Sequence, residues 1–232
     1  MTLTVDRPER GEFAWSITVG ADRPRNSNTA NEIRALLDQV DQGEPVQLWI
    51  ESIESGDDPF AGVLGFQPYR DLWRMQRSLP AGRSTLTTRS FVPGKDDEAF
   101  LEVNNRAFHW HPEQGGLTLA DLNRLMAESW FDAEGFRLYE NRDRLAGFCW
   151  TKVHPDETPP GGEIYAIAVD PDFHGQGLGK PMTLAGLDHL HDQGLTVGFL
   201  YVESDNQPAV ATYRALGFAH HSTNRAYRLE RR

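Results

Sequence analysis

His174-Gly175-Gln176-Gly177-Leu178-Gly179-Lys180 stands between two runs of different period. Before it, Ile164, Ala166, Ile167 and Val169 alternate and then run on, the pattern of a strand. After it, Leu184, Leu187 and Leu190 recur at helical spacing. A strand, a glycine-rich turn and a helix together aim backbone N–H groups and a positive helix end at a phosphate. Gly177 and Gly179 lack a Cβ, so a pyrophosphate can approach the backbone there. The loop has no Lys-Ser/Thr of a P-loop and no strand-adjacent start of a dinucleotide fingerprint. A turn that merely needs positive φ would also use glycine.

Other reactive side chains lead less far. His109 and His111, like His189 and His191, sit at i, i+2. Such a pair can chelate from a strand, but on a helix the two side chains diverge. With no carboxylate or cysteine partner at ligand spacing, no metal is expected. Cys149 lies within an apolar strand and is expected to be buried and inert. No nucleophile elbow of a Ser-His-Asp hydrolase is present.

The elements that must position the glycine loop follow from the pattern. Leu86 to Phe91 predicts a strand, Lys95 to Phe108 and Thr118 to Glu128 predict helices, and Phe136–Glu140 with Leu145–Val153 predicts a hairpin. After the central strand, the loop and its helix come a strand at Val197–Glu203, a short helix at Ala209–Ala215 ended by Gly217, and strands over Phe218–Leu229. Residues 1–12 read as loose. Phe13–Val19 and Val46–Ile53 then read as strands, with a helix at Ala30–Val40 between them, capped by Asn28 or Thr29. A turn at 56–59 and a closing strand over Trp73–Leu79 follow, and Pro80-Ala81-Gly82 reads as a linker.

The two halves share blocks in the same order. Leu48-Trp49-Ile50-Glu51-Ser52 matches Leu200-Tyr201-Val202-Glu203-Ser204, and Leu64-Gly65-Phe66 matches Leu216-Gly217-Phe218. Ile17-Thr18-Val19 aligns with Ile167-Ala168-Val169 at a nearly equal offset. In the first copy, Asn26-Ser27-Asn28-Thr29 replaces the glycine loop, and the copy reads as starting at the equivalent of the central strand, which would leave it without its opening half.

The loop and the preceding Val169-Asp170-Pro171 resemble the Q/R-x-x-G-x-G/A acetyl-CoA loop of GCN5-related N-acetyltransferases (GNAT). The first position here is His174, where that family has Gln or Arg. The element order from 86 to 230 agrees with the same family. The resemblance implies an α/β (α+β) fold with a mixed central sheet, complete in a catalytic domain at 86–232. Residues 1–80 would be a truncated, degenerate GNAT-like half-domain.

A closer likeness rests on Val103–Phe108, His111–Gly116, Trp150–Pro155 and Leu200–Asn206. These blocks resemble a branch of the family, built of two tandem domains, that acetylates the cysteinyl amine of Cys-GlcN-Ins to make mycothiol. The resemblance implies acetyl-CoA as co-substrate and no metal. It makes Glu163 the general base, acting through water, and Tyr213 the acid that protonates the departing thiolate. It implies that Ile167, Ala168 and Val169 pair with the pantetheine arm, with the Val169 N–H polarising the thioester carbonyl. His174, Gly175, Gln176, Gly177, Leu178, Gly179 and Lys180 would cradle the pyrophosphate, and Asn206, Gln207, Pro208, Ala209, Val210 and Ala211 would flank the far end of the cofactor. Glu113, Lys152, Glu163 and Tyr201 would hold the sugar–inositol substrate. Phe13 and Ala61 stand near the matching positions of the first copy, so neither acid nor base recurs there. Acetylation of another small amine or peptide, and a non-catalytic acetyl-CoA-binding module, are the alternatives.

Bulk properties agree with such a protein. Across 232 residues, 25% are charged and 39% hydrophobic, ordinary for a globular chain. A net charge of −11 argues against a nucleic-acid surface. No apolar leader or membrane-length stretch is present, so a cytoplasmic protein off the membrane is expected, a monomer with dimerisation as the alternative.

Overall fold

Among the described residues, ten strands and six α-helices follow one another along the chain. The structure is a computed structural model, and it describes residues 2–8, 11–41, 43–54, 57–111 and 114–229. Contacts divide the chain into two compact units. The first comprises residues 1–74, 202–207 and 221–232, and the second 75–201 and 208–220. The linker expected at 80–82 is therefore not where they divide. The last strand, expected in the second domain, lies mostly within the first unit.

In the first unit, β1 (Leu3–Asp6) pairs antiparallel with β2 (Trp15–Val19). β2 runs parallel to β3 (Val46–Ile50), from Trp15↔Val46 through Val19↔Ile50. β3 pairs antiparallel with β10 (Ala219–Leu229), which neighbours β4 (Phe66–Ser78). The strand β1 corrects the expectation of a loose N-terminus: Leu3, Thr4 and Val5 suit a pleated edge, and β2 supplies the ladder. Helix α1 (Ser27–Leu37) starts earlier than its apolar spacing suggests, because Asn26 is the cap. Its side chain accepts from the Asn28 and Thr29 N–H groups at 3.1 Å. Helix α2 (Asp57–Gly62) leads into β4. Ile17, Val19, Ile33, Leu48, Ile50, Phe66 and Tyr227 form the buried centre.

The second unit carries the order β9-β8-β7-β6-β5, with the end of β4, residues 75–78, beside β9. β5 is only Arg89–Ser90, shorter than the strand expected from residue 86. Ser84 explains the loss: its hydroxyl donates to Pro181 O and accepts from the Leu86 N–H, which takes that backbone out of a ladder. Helices α3 (Asp97–Ala107) and α4 (Leu119–Met126) follow, the latter closed by a Thr118/Asp121 capping box. β6 (Phe136–Asn141) and β7 (Arg144–His154) form the hairpin, and β8 (Gly161–Val169) is the central strand. Then come α5 (Gly179–Asp192), β9 (Val197–Glu203) and α6 (Gln207–Ala215). Phe136 stacks on Trp150 and on Phe91 with centroids 4.4 Å apart, anchoring an aromatic core.

Helix α5 sits close against the sheet because Gly186 has no side chain. A Cβ there would overlap Cys149 Sγ and lie 2.8 Å from Ile164 Cδ1. Gly186→Ala adds overpacking worth about 1–3 kcal/mol against about 1 kcal/mol of gained helix propensity. A lower melting temperature is the expected result, read by thermal unfolding.

Candidate active site

The chemistry gathers where β8 leaves β9. Their parallel pairing runs from Gly161↔Val197 to Ile164↔Leu200 and goes no further. From Ala166 to Val169, β8 is paired with β7 alone, ending at Val169↔Gly147. The Asp170 N–H donates to Ala146 O on β7 at 2.9 Å. Successive N–H groups along a strand alternate edges, so those of Val169 and Ile167 point to the edge that β9 has left.

The turn after β8 is clamped from outside. Arg106 of α3 pairs with buried Asp170 at 3.0 Å and with Asp172 at 2.8 Å, and Arg144 also reaches Asp172 at 2.8 Å. Those two guanidinium groups hold the Asp172 carboxyl down at about 2, against an ordinary 3.8. The folded value is the lower one, so the clamp acts fully above about pH 4 and is lost as pH falls through about 2. Amide exchange at 170–174 is expected to stay protected down to about pH 4.

Beyond the clamp, His174 Nε2 lies 2.9 Å from Val169 O, so this nitrogen carries the proton. The His174 side chain thus folds back onto the strand end. Gly175 and Gly177 take φ of +78° and +74°, which explains glycine at both. A Cβ at Gly175, Gly177 or Gly179 would meet nothing within 4 Å. Leu178, at the α5 N-cap, offers no side-chain cap, so the first N–H groups of α5 keep their donors. Gln176 and Lys180 are exposed beside them.

Glu163 is 8% exposed, and its Oε2 lies 2.7 Å from His154 Nε2. Lys152 stands opposite Glu163 in the β7–β8 register, and Phe199 opposite it on β9. The His154 ring packs against Phe199, 5.2 Å between centroids, and Phe199 meets Tyr201 edge-on at 5.9 Å. Lys152 Nζ lies 4.7 Å from the Trp130 ring centroid and 5.8 Å from that of Tyr165. Burial raises the Tyr165 phenol pKa, with Glu163 and Glu128 adding to it. Lys152, Glu163 and Tyr201 are thereby linked through His154, Phe199, Trp130 and Tyr165. Glu113 lies outside the described residues.

Tyr213 projects from α6, its ring 5.9 Å from Phe218. Burial, with Cys149 nearby, pushes the phenol pKa upward, so it stays protonated. No hydrogen bond of its hydroxyl is seen among the described residues. Cys149 is fully buried and opposite Ile167 in the register, and burial pushes its thiol up to about 12. At the start of α6, Val210 is buried while Pro208 and Ala211 are exposed and Ala209 is partly covered. Asn206 and Gln207 fall in the first unit, where the Asn206 N–H donates to Glu203 O and Gln207 Nε2 to Ser204 O.

The spacing of Lys152 with His154, and of Glu163 with Tyr165, carries a signal for the missed partners, since residues two apart on a strand share a face. A cleft of 470 Å³ in the first unit is lined in part by Arg70, Asp71, Glu203 and Arg225. Its charges pair with one another, Arg70 with Glu203 at 2.7 Å and Arg225 with Asp71 at 2.6 Å, and it lacks the features above. No group of three metal-ligating side chains occurs among the described residues, and none of their helices is long and apolar enough to cross a membrane.

Residues 98–218 match the model of the acetyltransferase (GNAT) family. A GCN5-related N-acetyltransferase from Sphaerobacter thermophilus superposes with a TM-score of 0.68 at 20% identity, covering 92% of this chain and 72% of that one. A tandem GNAT protein from the clavulanic acid pathway superposes at 0.58 and 16% identity, covering 92% and 74%. The chain belongs to the GNAT acetyltransferase family, whose members are enzymes that use acetyl-CoA as co-substrate. It is 46% identical to the mycothiol acetyltransferase of Actinosynnema mirum over 88% of its own length and 71% of the relative's. For the mycothiol acetyltransferases of Catenulispora acidiphila and Nocardia farcinica the identities are 45% and 41%, covering 98% and 96% of this chain and 75% of each relative. Within the GNAT family, the chain therefore groups with the mycothiol acetyltransferases.

Proposed function

We propose that this chain transfers the acetyl group of acetyl-CoA to the cysteinyl amine of Cys-GlcN-Ins, with the chemistry in the second unit. The observation that carries the cofactor reading is the separation of β8 from β9 after Ile164↔Leu200. The freed backbone of Ile167 to Val169 suits a pantetheine arm added as a strand. The uncapped start of α5 and the open space over Gly175, Gly177 and Gly179 suit the pyrophosphate.

In this reading Glu163 takes a proton from the substrate ammonium through water. The amine then attacks the thioester carbonyl, which the Val169 N–H polarises. As the tetrahedral intermediate collapses, Tyr213 protonates the departing thiolate and is reprotonated by the second proton that the nitrogen releases. Lys152, Tyr201 and Glu113 contact the hydroxyl-rich substrate, and residues 208–211 flank the far end of the cofactor.

The first unit is a degenerate copy in a scaffold role. This is supported by β2 and β3 pairing along their whole length, which leaves no gap for a pantetheine arm. The Asn26 side chain also takes the α1 N–H groups that a phosphate would need. The matching positions, Phe13 and Ala61, carry no acid or base. Phe13 lies against Tyr69 and Ala61 is fully buried.

Incubation of the protein with acetyl-CoA and Cys-GlcN-Ins, followed by mass spectrometry, tests the reaction. A product heavier by one acetyl group on the cysteinyl nitrogen is expected. Acetylation of other small amines, with Cys-GlcN-Ins untouched, would overturn the substrate.

A further inference from the structure

We propose that His154 is the proton outlet of the active site: it holds Glu163 in position and carries away the proton that Glu163 takes from the substrate. This rests on Glu163 being the base.

Each turnover converts an ammonium and a thioester into an amide and a thiol. The nitrogen gives up two protons and the thiolate takes one, so one must leave the site. Glu163 is only 8% exposed, which restricts direct exchange with bulk water. Its one side-chain partner among the described residues is His154, at 2.7 Å, a distance suited to proton transfer. The His154 side chain is 28% exposed, so the same ring touches both the buried carboxylate and solvent.

The ring is held for this work. His154 ends β7, its backbone opposite Gly161, and its ring packs on Phe199. A Cβ at Gly161 would lie 2.8 Å from Phe199 Cε1, so the absent side chain lets Phe199 take that position. The transfer balances. An N–H bond of the ammonium breaks and an O–H bond forms on Glu163. In the Nδ1–H tautomer the His154 Nε2 is bare, so that O–H bond breaks as the Nε2–H bond forms. The imidazolium then gives its Nδ1 proton to water, and exchange with water returns the ring to the starting tautomer. Glu163 is again a carboxylate, and no other reactant is consumed. Imidazole is suited to this step because one ring nitrogen can accept a proton while the other gives one up.

The experiment compares His154→Ala, His154→Gln and Glu163→Gln in the full chain, with steady-state kinetics in buffers with and without free imidazole. Circular dichroism and melting curves control for folding. His154→Ala is expected to lower kcat at least about tenfold while leaving KM for acetyl-CoA within about twofold, and added imidazole restores most of the rate. His154→Gln can still hydrogen-bond Glu163 but relays no proton, so it is expected to be slow as well. Wild-type turnover is expected to be indifferent to imidazole. A fully active His154→Gln, or a slow His154→Ala that imidazole leaves slow, overturns the relay. A fully active Glu163→Gln instead overturns the base reading on which the relay depends.

Discussion

Glu163→Gln is expected to lower kcat by about 10²- to 10⁴-fold, the range for loss of a positioned general base. The substitution isolates basicity. Gln is nearly the same size as Glu, so the buried site is refilled without a cavity. Its amide still reaches His154, 2.7 Å from the carboxylate it replaces. The glycine loop lies elsewhere on the unit, so KM for acetyl-CoA is expected to stay within about twofold. The drop would thus fall on kcat and kcat/KM for the amine substrate together. Initial rates at saturating acetyl-CoA, with a melting curve on the same sample, decide it. An unchanged kcat in a folded variant would show that the amine loses its proton elsewhere.

Tyr213→Phe is expected to lower kcat by about 10²-fold. Burial pushes the Tyr213 phenol pKa upward, so the group holds its proton through the resting state. The phenol therefore arrives protonated at the departing thiolate, and no hydrogen bond to another described residue competes for its hydroxyl. The ring itself packs on Phe218, and Phe retains that contact. The variant is therefore expected to melt near the wild-type temperature and to bind acetyl-CoA with unchanged affinity, which calorimetry checks. A stability loss of several kcal/mol with wild-type kcat would make Tyr213 a packing residue only.

The glycine loop was legible in the sequence because its backbone geometry demands a residue type. Gly175 and Gly177 take positive φ, and glycine adopts that with little strain. The strand–helix order of the second unit was legible for a similar reason, since period 2 and period 3.6 differ over short runs. Local capping showed through less well, as the α1 start at Asn26 demonstrates.

What stayed hidden depends on register. His154 and Glu163 are nine residues apart on antiparallel strands, and they meet only because the β7–β8 ladder shifts at Trp150/Thr151. No residue type announces that shift. The end of β8–β9 pairing at Ile164↔Leu200 is hidden likewise, because Ile164, Tyr165 and Ala166 run on as strand residues with no break at that point. The place of β10 beside β3 in the first unit is a non-local pairing across more than 170 residues, Ile50↔Arg225, which no local pattern encodes.

Calorimetric titration of acetyl-CoA into the wild type and into Gly179→Asp tests the account most directly. A side chain at Gly179 meets no protein atom, and a carboxylate at the start of α5 suits the helix dipole, so folding is left intact. The same charge opposes a pyrophosphate. One acetyl-CoA per wild-type chain is the expected result, weakened at least about tenfold in the variant. Two molecules per chain, or one whose affinity ignores the substitution, would contradict a single cofactor site at this loop.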